Sequence, residues 1–112
     1  MKYMLLIYED DADRLAMMDE RMPNCAAYAQ AMTKAGIYVC GERLRGVATT
    51  TTVRVTPSKT HVVDGPYAEA KDLVNGYVLI EAATIDKAVE LSKGCPIFTD
   101  GGSVEVRPIL KL

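Results

Sequence analysis

Two carboxylates stand out as groups that could carry out chemistry, Asp64 and Glu81. Asp64 directly precedes Gly65-Pro66, a pair that predicts the end of a strand and a tight turn, and Tyr67 follows the turn. Glu81 lies in an otherwise apolar strand, so its carboxylate either reaches solvent at the rim of a sheet or is buried beside a partner. A buried carboxyl group holds its proton more tightly, which suits acid–base catalysis. We therefore predict Asp64 and Glu81 as candidate catalytic residues.

The expected surroundings of these two carboxylates are cationic and aromatic. Arg54, Lys71 and Arg107 are the cations available to pair with Glu81. The topology predicted below brings Arg54 and Tyr67 towards the two carboxylates, where they would form a site for a small molecule. The candidate ligand-binding residues are Tyr8, Glu42, Arg54, Tyr67, Glu69, Lys71 and Arg107.

The same residues also have a purely structural interpretation, which the sequence leaves open. Gly65 can adopt a positive φ, Pro66 fixes the next backbone angle, and Asp64 can accept hydrogen bonds from downstream amides. Glu81 can form an interface or core ion pair without contacting a ligand. His61 is three residues from Asp64 on a strand, so the two side chains point to opposite faces, and a surface histidine is the favoured interpretation.

Motifs of known cofactor and metal sites are missing from the sequence. It has no glycine-rich phosphate loop, no serine–histidine–aspartate set and no Cys-x-x-Cys pair. Cys25, Cys40 and Cys95 are widely spaced, which predicts free thiols in a reducing compartment. We expect no cofactor and no metal. Any catalysis would then be proton transfer, isomerisation or elimination on a small polar or aromatic molecule. The alternative is a non-catalytic dimer that senses a small molecule or contacts a protein partner.

Length and charge exclude several classes of protein. With 112 residues the chain forms a single domain, residues 1–112. The net charge of −2 and the lack of a basic cluster argue against nucleic acid or an anionic membrane as the main partner. No apolar run is long enough to span a membrane, and the acidic residues at 9–11 end the apolar start too early for a signal peptide. We therefore expect a cytoplasmic protein.

Hydrophobic patterning predicts six strands and two helices. The first helix is expected over residues 10–36, with a break or kink at Met22 because Pro23 follows, so that its main part runs from about 24 to 35. Thr84 is predicted to cap the second helix, and Ile85, Ala88, Val89 and Ser92 share one of its faces. The predicted strands cover residues 2–8, 37–43, 49–56, 60–64, 77–82 and 103–108.

This order of elements predicts an α+β fold of the ferredoxin-like type. Two βαβ halves with right-handed crossovers form an antiparallel βαββαβ sheet with both helices on one face, and the hairpin of residues 49–64 is an insertion. Strands 2–8 and 77–82 are apolar on both faces, so the helix-free face also needs a cover. A second copy of the chain is the simplest cover, which predicts a homodimer that closes a dimeric α/β barrel.

The chain resembles the YCII-related family, in the branch named for its Asp-Gly-Pro-Phe motif. Here that motif is Asp-Gly-Pro-Tyr at residues 64–67. The resemblance extends over nearly the full length, and its combination of segments is specific. The matching segments are residues 2–8, 41–44, 52–54, 64–72, 76–81, 86–88, 95–96 and 104–108.

The resemblance implies a ferredoxin-like fold, a homodimeric barrel and, for many members, an association with extracytoplasmic-function sigma factors. Some YCII-like proteins resemble enzymes built on a histidine–aspartate pair, one of them a dehydrochlorinase that acts on a chlorinated aromatic. In this sequence Asn24 and Cys25 stand in the region of the histidine, and Cys95 stands where the aspartate would fall. Neither half of that pair is present, so the implied mechanism does not transfer to this chain.

Overall fold

The computed structural model describes residues 1–66 and 72–111, with side chains described except at 11–21, 72, 99 and 100. Two short 3₁₀ turns, Val47–Thr49 and Pro96–Asp100, lie between the main elements. The main elements are β1 (Lys2–Asp10), α1 (Asp11–Lys34), β2 (Tyr38–Arg43), β3 (Thr51–Val55), β4 (Thr60–Asp64), β5 (Asp72–Glu81), α2 (Ile85–Ser92) and β6 (Ser103–Pro108).

Four strands form one antiparallel sheet in the order β2-β5-β1-β6, while β3 and β4 pair only with each other in a two-stranded sheet. The long strand at the centre, β1, pairs with β5 on one side and β6 on the other, which is the ferredoxin-like arrangement. The predicted fold class and the inserted hairpin are confirmed.

The hydrophobic core lies between this sheet and the two helices. Tyr3 and Leu5 alternate along β1 onto the helix side, and both are buried. Ile80 of β5 pairs with Tyr3 and is completely buried. Met32 of α1 and Ala88 of α2 complete the cluster from the helices. Side-chain alternation along the strands therefore decides which apolar residues form the core.

The opposite face of the sheet carries apolar residues but no helix. Met4 and Leu6 of β1 point there, together with their partners Leu79 and Tyr77 of β5, and all four are half-buried. This surface, the helix-free face, is the one for which a second copy was predicted. None of the helices in the described part of the chain combines the length and the apolar composition of a membrane span.

Two differences from the prediction go beyond a shift of one or two residues at the end of an element. The expected break at Met22 is wrong, because α1 runs as one helix of 24 residues through Pro23. Proline removes one helical hydrogen bond, but Pro23 is exposed, so water can satisfy the carbonyl that loses its partner. β5 begins at Asp72, five residues earlier than expected, because the polar residues Asp72 and Asn75 obscure its apolar pattern.

The second helix begins as the sequence predicts. The side chain of Thr84 accepts a hydrogen bond from the backbone N–H of Lys87, at 3.2 Å. Ala88 and Ser92 face the core, whereas Ile85 and Val89 are 45% and 40% exposed, so only half of the predicted shared face is buried.

Replacing Thr84 with alanine is expected to lower the free energy of unfolding by about 1 kcal/mol, because the N–H of Lys87 loses its acceptor. Urea denaturation followed by circular dichroism measures the change. Thr84→Ser, which keeps the hydroxyl, is the control and should stay close to the wild type. Equal losses in both variants would show that the methyl group, and not the cap, matters.

Candidate ligand pocket beneath the long helix

A pocket of about 220 Å³ lies between α1 and the helix side of the four-stranded sheet. Cys25, Tyr28, Ala29 and Met32 form its roof, at the spacing of one helical face. The floor comes from β1, β2 and β5, and one wall comes from the segment that follows α2, residues 95–97. The pocket is larger than the cavity of about 150 Å³ that holds a benzene molecule in an engineered protein. It can therefore hold one substituted ring.

Two glycines allow the floor to form. A Cβ atom added to Gly41 would lie 2.8 Å from the carbonyl oxygen of Tyr77 and 2.9 Å from the hydroxyl of Tyr38. One added to Gly76 would lie 3.0 Å from the carbonyl oxygen of Glu42. Both glycines line the pocket, so the close approach of β2 to β5 and the open space above them depend on the missing side chains.

A β-bulge in β5 places a polar group on this floor. Ile7 pairs with Gly76 and Tyr8 pairs with Val74, so Asn75 is the extra residue between the two pairs. A bulge re-aims side chains, and here the amide of Asn75 donates a hydrogen bond to the Oε1 atom of Glu9. These two polar residues are only 6% and 8% exposed, and both line the pocket. A buried carboxylate and its amide partner thus form one polar spot in a largely apolar space.

Two tyrosines of the pocket, Tyr28 and Tyr38, are held in their neutral form. Tyr28 donates a hydrogen bond of 2.7 Å from its hydroxyl to the carbonyl oxygen of Leu91. Burial, with a smaller contribution from the nearby Cys95, raises the pKa of Tyr28 to about 12. Burial also raises the pKa of Tyr38, with smaller contributions from Cys40, Glu42 and Tyr77. At neutral pH these phenols can donate hydrogen bonds or pack against a ring, but they cannot act as bases.

Two thiols lie on the pocket walls, one on α1 and one after α2. Cys25 and Cys95 are both partly buried, and neither forms a disulfide. In the part of the chain that the structure describes, no group of three or more histidine, cysteine, aspartate or glutamate side chains is arranged to hold a metal ion. The chemistry of the pocket walls is therefore that of thiols, neutral phenols and one buried carboxylate.

The model of the YCII-related domain matches residues 1–112, the whole chain. The chain belongs to the YCII-related domain family. An uncharacterized protein of Rhizobium meliloti (strain 1021) is 32% identical over 114 residues, which cover 97% of this chain and 92% of that relative.

A solved YCII-like fold also superposes on this chain. It is 5-chloro-2-hydroxyhydroquinone dehydrochlorinase (TftG) from Burkholderia phenoliruptrix AC1100 in complex with 2,5-dihydroxybenzoquinone. The TM-score is 0.60 at 13% sequence identity, over 98% of this chain and 94% of the enzyme. At this identity the likeness shows the shared fold and not a shared activity.

Four of the residues predicted for the site lie on the helix-free face. Strand alternation and register put Tyr8 of β1, Glu42 of β2, Glu81 of β5 and Arg107 of β6 there. Glu42 borders the pocket, but its side chain belongs to the opposite face, so it contributes backbone atoms to the floor. The carboxylate of Glu81 is 50% exposed and lies 2.9 Å from the N-terminal amine of Met1. That cation was not among the three that the sequence suggested.

The remaining predicted residues belong to the hairpin and the segment after it. Asp64 and Arg54 are exposed in the two-stranded sheet, so Asp64 and Glu81 lie in different sheets. Gly65 has a positive φ of 117°, and its carbonyl accepts a 2.6 Å hydrogen bond from Thr52, so the turn is held by the hairpin itself. The predicted ligand-binding residues Tyr67, Glu69 and Lys71 lie outside the described residues.

Sequence reasoning missed the pair at the centre of the pocket. Glu9 was considered only as one of the acidic residues that end the apolar start of the chain, and Asn75 lay before the predicted start of its strand. The one available signal was the spacing of Cys25, Tyr28 and Met32 on one face of the first helix, and it was not used. Pairing between strands brings Glu9 and Asn75 together, and that information is not local in the sequence.

Proposed function

We propose that this YCII-related protein binds a small, oxygen-substituted ring compound in the pocket beneath α1. One observation carries the proposal: a buried carboxylate and amide, Glu9 and Asn75, lie on the floor of an otherwise largely apolar and aromatic pocket. Pockets of this composition hold a ring by apolar contact and orient it through a few polar groups. Glu9 would orient the ring by accepting a hydrogen bond from one of its hydroxyl groups.

The size of the pocket and the ligand of the structural neighbour support this class of compound. A volume of about 220 Å³ accommodates a single ring with small substituents and excludes a dinucleotide or other large cofactor. The ring bound to the neighbouring enzyme, 2,5-dihydroxybenzoquinone, carries hydroxyl and carbonyl oxygens. On a quinone ring those hydroxyls are vinylogous acids that are ionised at neutral pH, so hydroquinone, a neutral ring of similar size with two hydroxyl donors, is the suitable first probe for this protein.

We propose ligand sensing and not turnover as the use of this pocket. Conversion of a bound ring needs a group that accepts a proton, and Glu9 is the only carboxylate whose side chain is described on the pocket floor. The family resemblance puts a histidine in the region of Asn24 and Cys25 and an aspartate at Cys95, so the acid–base pair of the YCII-like enzymes is missing, and Cys25 and Cys95 line the pocket as thiols. An extracytoplasmic-function sigma factor is the regulatory partner that the same resemblance suggests.

We further propose that the protein is a homodimer that pairs through the helix-free face. Met4, Leu6, Tyr77 and Leu79 form an apolar surface there that no element of the described chain covers. In such a dimer Tyr8, Glu42, Glu81 and Arg107 would line the joint between the two sheets. We also propose that the protein belongs to the branch of the family that is named for the Asp-Gly-Pro-Phe motif. We propose a cytoplasmic location because the three cysteines form no disulfide.

Replacing Ala29 with leucine is expected to weaken binding of hydroquinone at least tenfold, because the larger side chain fills the space that the ring would occupy. Isothermal titration calorimetry measures the dissociation constant. Ala26→Leu is the matched control, since Ala26 is exposed on the same helix and does not border the pocket. Glu9→Gln keeps the shape of the pocket and should weaken binding about tenfold, since a hydrogen bond to a charged group is lost.

The outcomes of this experiment separate the possible functions. Equal affinity in the wild type and Ala29→Leu would mean that the pocket is not the binding site. Chromatography of the probe after incubation distinguishes sensing from turnover: sensing returns the compound unchanged. A new product formed by the wild type and lost in Glu9→Gln would replace sensing with acid–base catalysis.

A further inference from the structure

The hairpin formed by β3 and β4, residues 51–64, is an arm that shares no sheet with the rest of the described chain. Its two strands pair in register from Thr51 with Asp64 to Val55 with Thr60. The hydrogen bonds that close its base, from Gly65 to Thr50 and from Thr52 to Gly65, also stay within this region. A two-stranded hairpin with no further packing is at best marginally stable in water. The arm therefore needs a surface to pack against.

One face of the arm is apolar and exposed. Val53 and Val62 are directly paired, and Val55 lies two residues along on the same face. These three valines are 60%, 64% and 74% exposed. The opposite face carries Thr52 and Arg54 together with His61 and Val63. The three valines form a contiguous apolar patch, here called the valine face.

The whole chain, and not only the arm, exposes more surface than a compact monomer of the same size. The protein exposes 7692 Å², against about 6,100 Å² expected for a folded monomer of its mass. Its radius of gyration is 15.7 Å, against about 13 Å for a compact domain of this length. The body measures 49 × 40 × 18 Å, so it is long and thin. A folded chain with this much additional exposed area is expected to bury part of its surface in an interface.

We propose that the valine face packs on a second copy of this chain, so that each arm clasps the other protomer. This inference rests on the proposed homodimer and goes beyond it, because pairing through the helix-free face leaves the valine face unassigned. The excess of roughly 1,600 Å² per chain is the area that each subunit contributes to a large, obligate dimer interface. A two-fold axis applies the same contact twice, so two arms bury two valine faces.

The chemistry of the valine face favours a protein surface over other partners. Its only formal charge is the carboxylate of Asp64 at one end, while the basic side chains of Arg54 and His61 lie on the opposite face. A phosphate backbone or an anionic lipid would require cations on the contacting face. A second copy of the chain supplies an apolar surface and is always present at the same concentration. In a two-fold symmetric dimer each chain makes the same contact with the other.

The double variant V53T/V62T tests the clasp, since threonine keeps the β-branched shape and the strand preference of valine while adding a hydroxyl. Sedimentation equilibrium of the full chain is expected to show a dimer dissociation constant raised about 100-fold or more, because four hydroxyls per dimer would be buried. Val63→Thr is the matched control on the other face of the arm, where valine is 57% exposed. It should leave the dimer unchanged. Circular dichroism confirms that each variant is folded.

A photo-crosslinking amino acid at position 62, compared with one at position 63, gives a second measurement that does not depend on weakening the dimer. Covalent dimers should form from position 62 and not from position 63. A wild-type dimer whose dissociation constant is the same in V53T/V62T would overturn the clasp and leave pairing through the helix-free face intact. Equal weakening by Val63→Thr would overturn it as well. A wild-type protein that is monomeric at micromolar concentration would overturn both proposals.

Discussion

Ile80→Ala is expected to lower the free energy of unfolding by about 3–4 kcal/mol. Ile80 is completely buried at the centre of the sheet, where it packs in one cluster with Tyr3, Met32 and Ala88. Truncation removes apolar contacts and leaves a cavity that β1 and β5 cannot close, because their hydrogen bonds fix the distance between the two strands. Urea denaturation with linear extrapolation measures the change.

Leu110→Ala is the control for this substitution. Leu110 is an aliphatic residue that is 79% exposed after β6, so its truncation should change the free energy of unfolding by less than about 0.5 kcal/mol. If Ile80→Ala costs no more than Leu110→Ala, the helix side of β5 is not the core. Both variants are compared at one protein concentration, because a dimer makes stability depend on concentration.

Asn75→Asp is expected to destabilise the protein by about 3 kcal/mol at pH 8 and much less at pH 5. The substitution keeps the shape of the side chain but places a second carboxyl group against Glu9 in a site that is 6–8% exposed. Two buried carboxylates in contact cannot both be charged, so the folded variant must hold one extra proton. The unfolded chain releases that proton above about pH 5. Folding of the variant therefore becomes less favourable as the pH rises.

Denaturation of Asn75→Asp in urea at several pH values between about 5 and 8 measures this dependence. The wild type serves as the reference at each pH. Asn24→Asp is the matched control, because it makes the same chemical change at an exposed position of α1. It should show no added pH dependence beyond a few tenths of a kcal/mol. A flat pH profile for Asn75→Asp would mean that the amide and Glu9 are not in contact inside the protein.

The Asn75→Asp substitution is also expected to weaken binding of the proposed ligand. A ring hydroxyl would donate its hydrogen bond to the carboxylate of Glu9, to which Asn75 also donates. In Asn75→Asp the proton shared by the two carboxyl groups makes Glu9 a weaker acceptor. The variant should therefore bind hydroquinone more weakly than the wild type at pH 5, where it is folded.

The order of the elements and the ferredoxin-like sheet follow from local patterns in the sequence. The apolar run at residues 2–8 and the alternation along residues 103–108 identified two strands, and Thr84 marked the start of α2 because a cap is a contact between neighbours in the chain. The positive φ of Gly65 after β4 was likewise expected from residue type. Pro23 misled the prediction of α1, because solvent exposure of the proline is not visible in the sequence.

Only the tertiary structure decided where the pocket lies and what it contains. Glu9 and Asn75 are 66 positions apart and meet because β1 pairs with β5 and a bulge turns the amide inward. Glu81, in contrast, lies at the end of β5 beside the N-terminal amine and not among the predicted cations. Residue type and spacing determine local geometry, whereas strand register and bulges determine which distant side chains share a buried space. The sequence therefore predicted the scaffold, and the register of its strands decided the site.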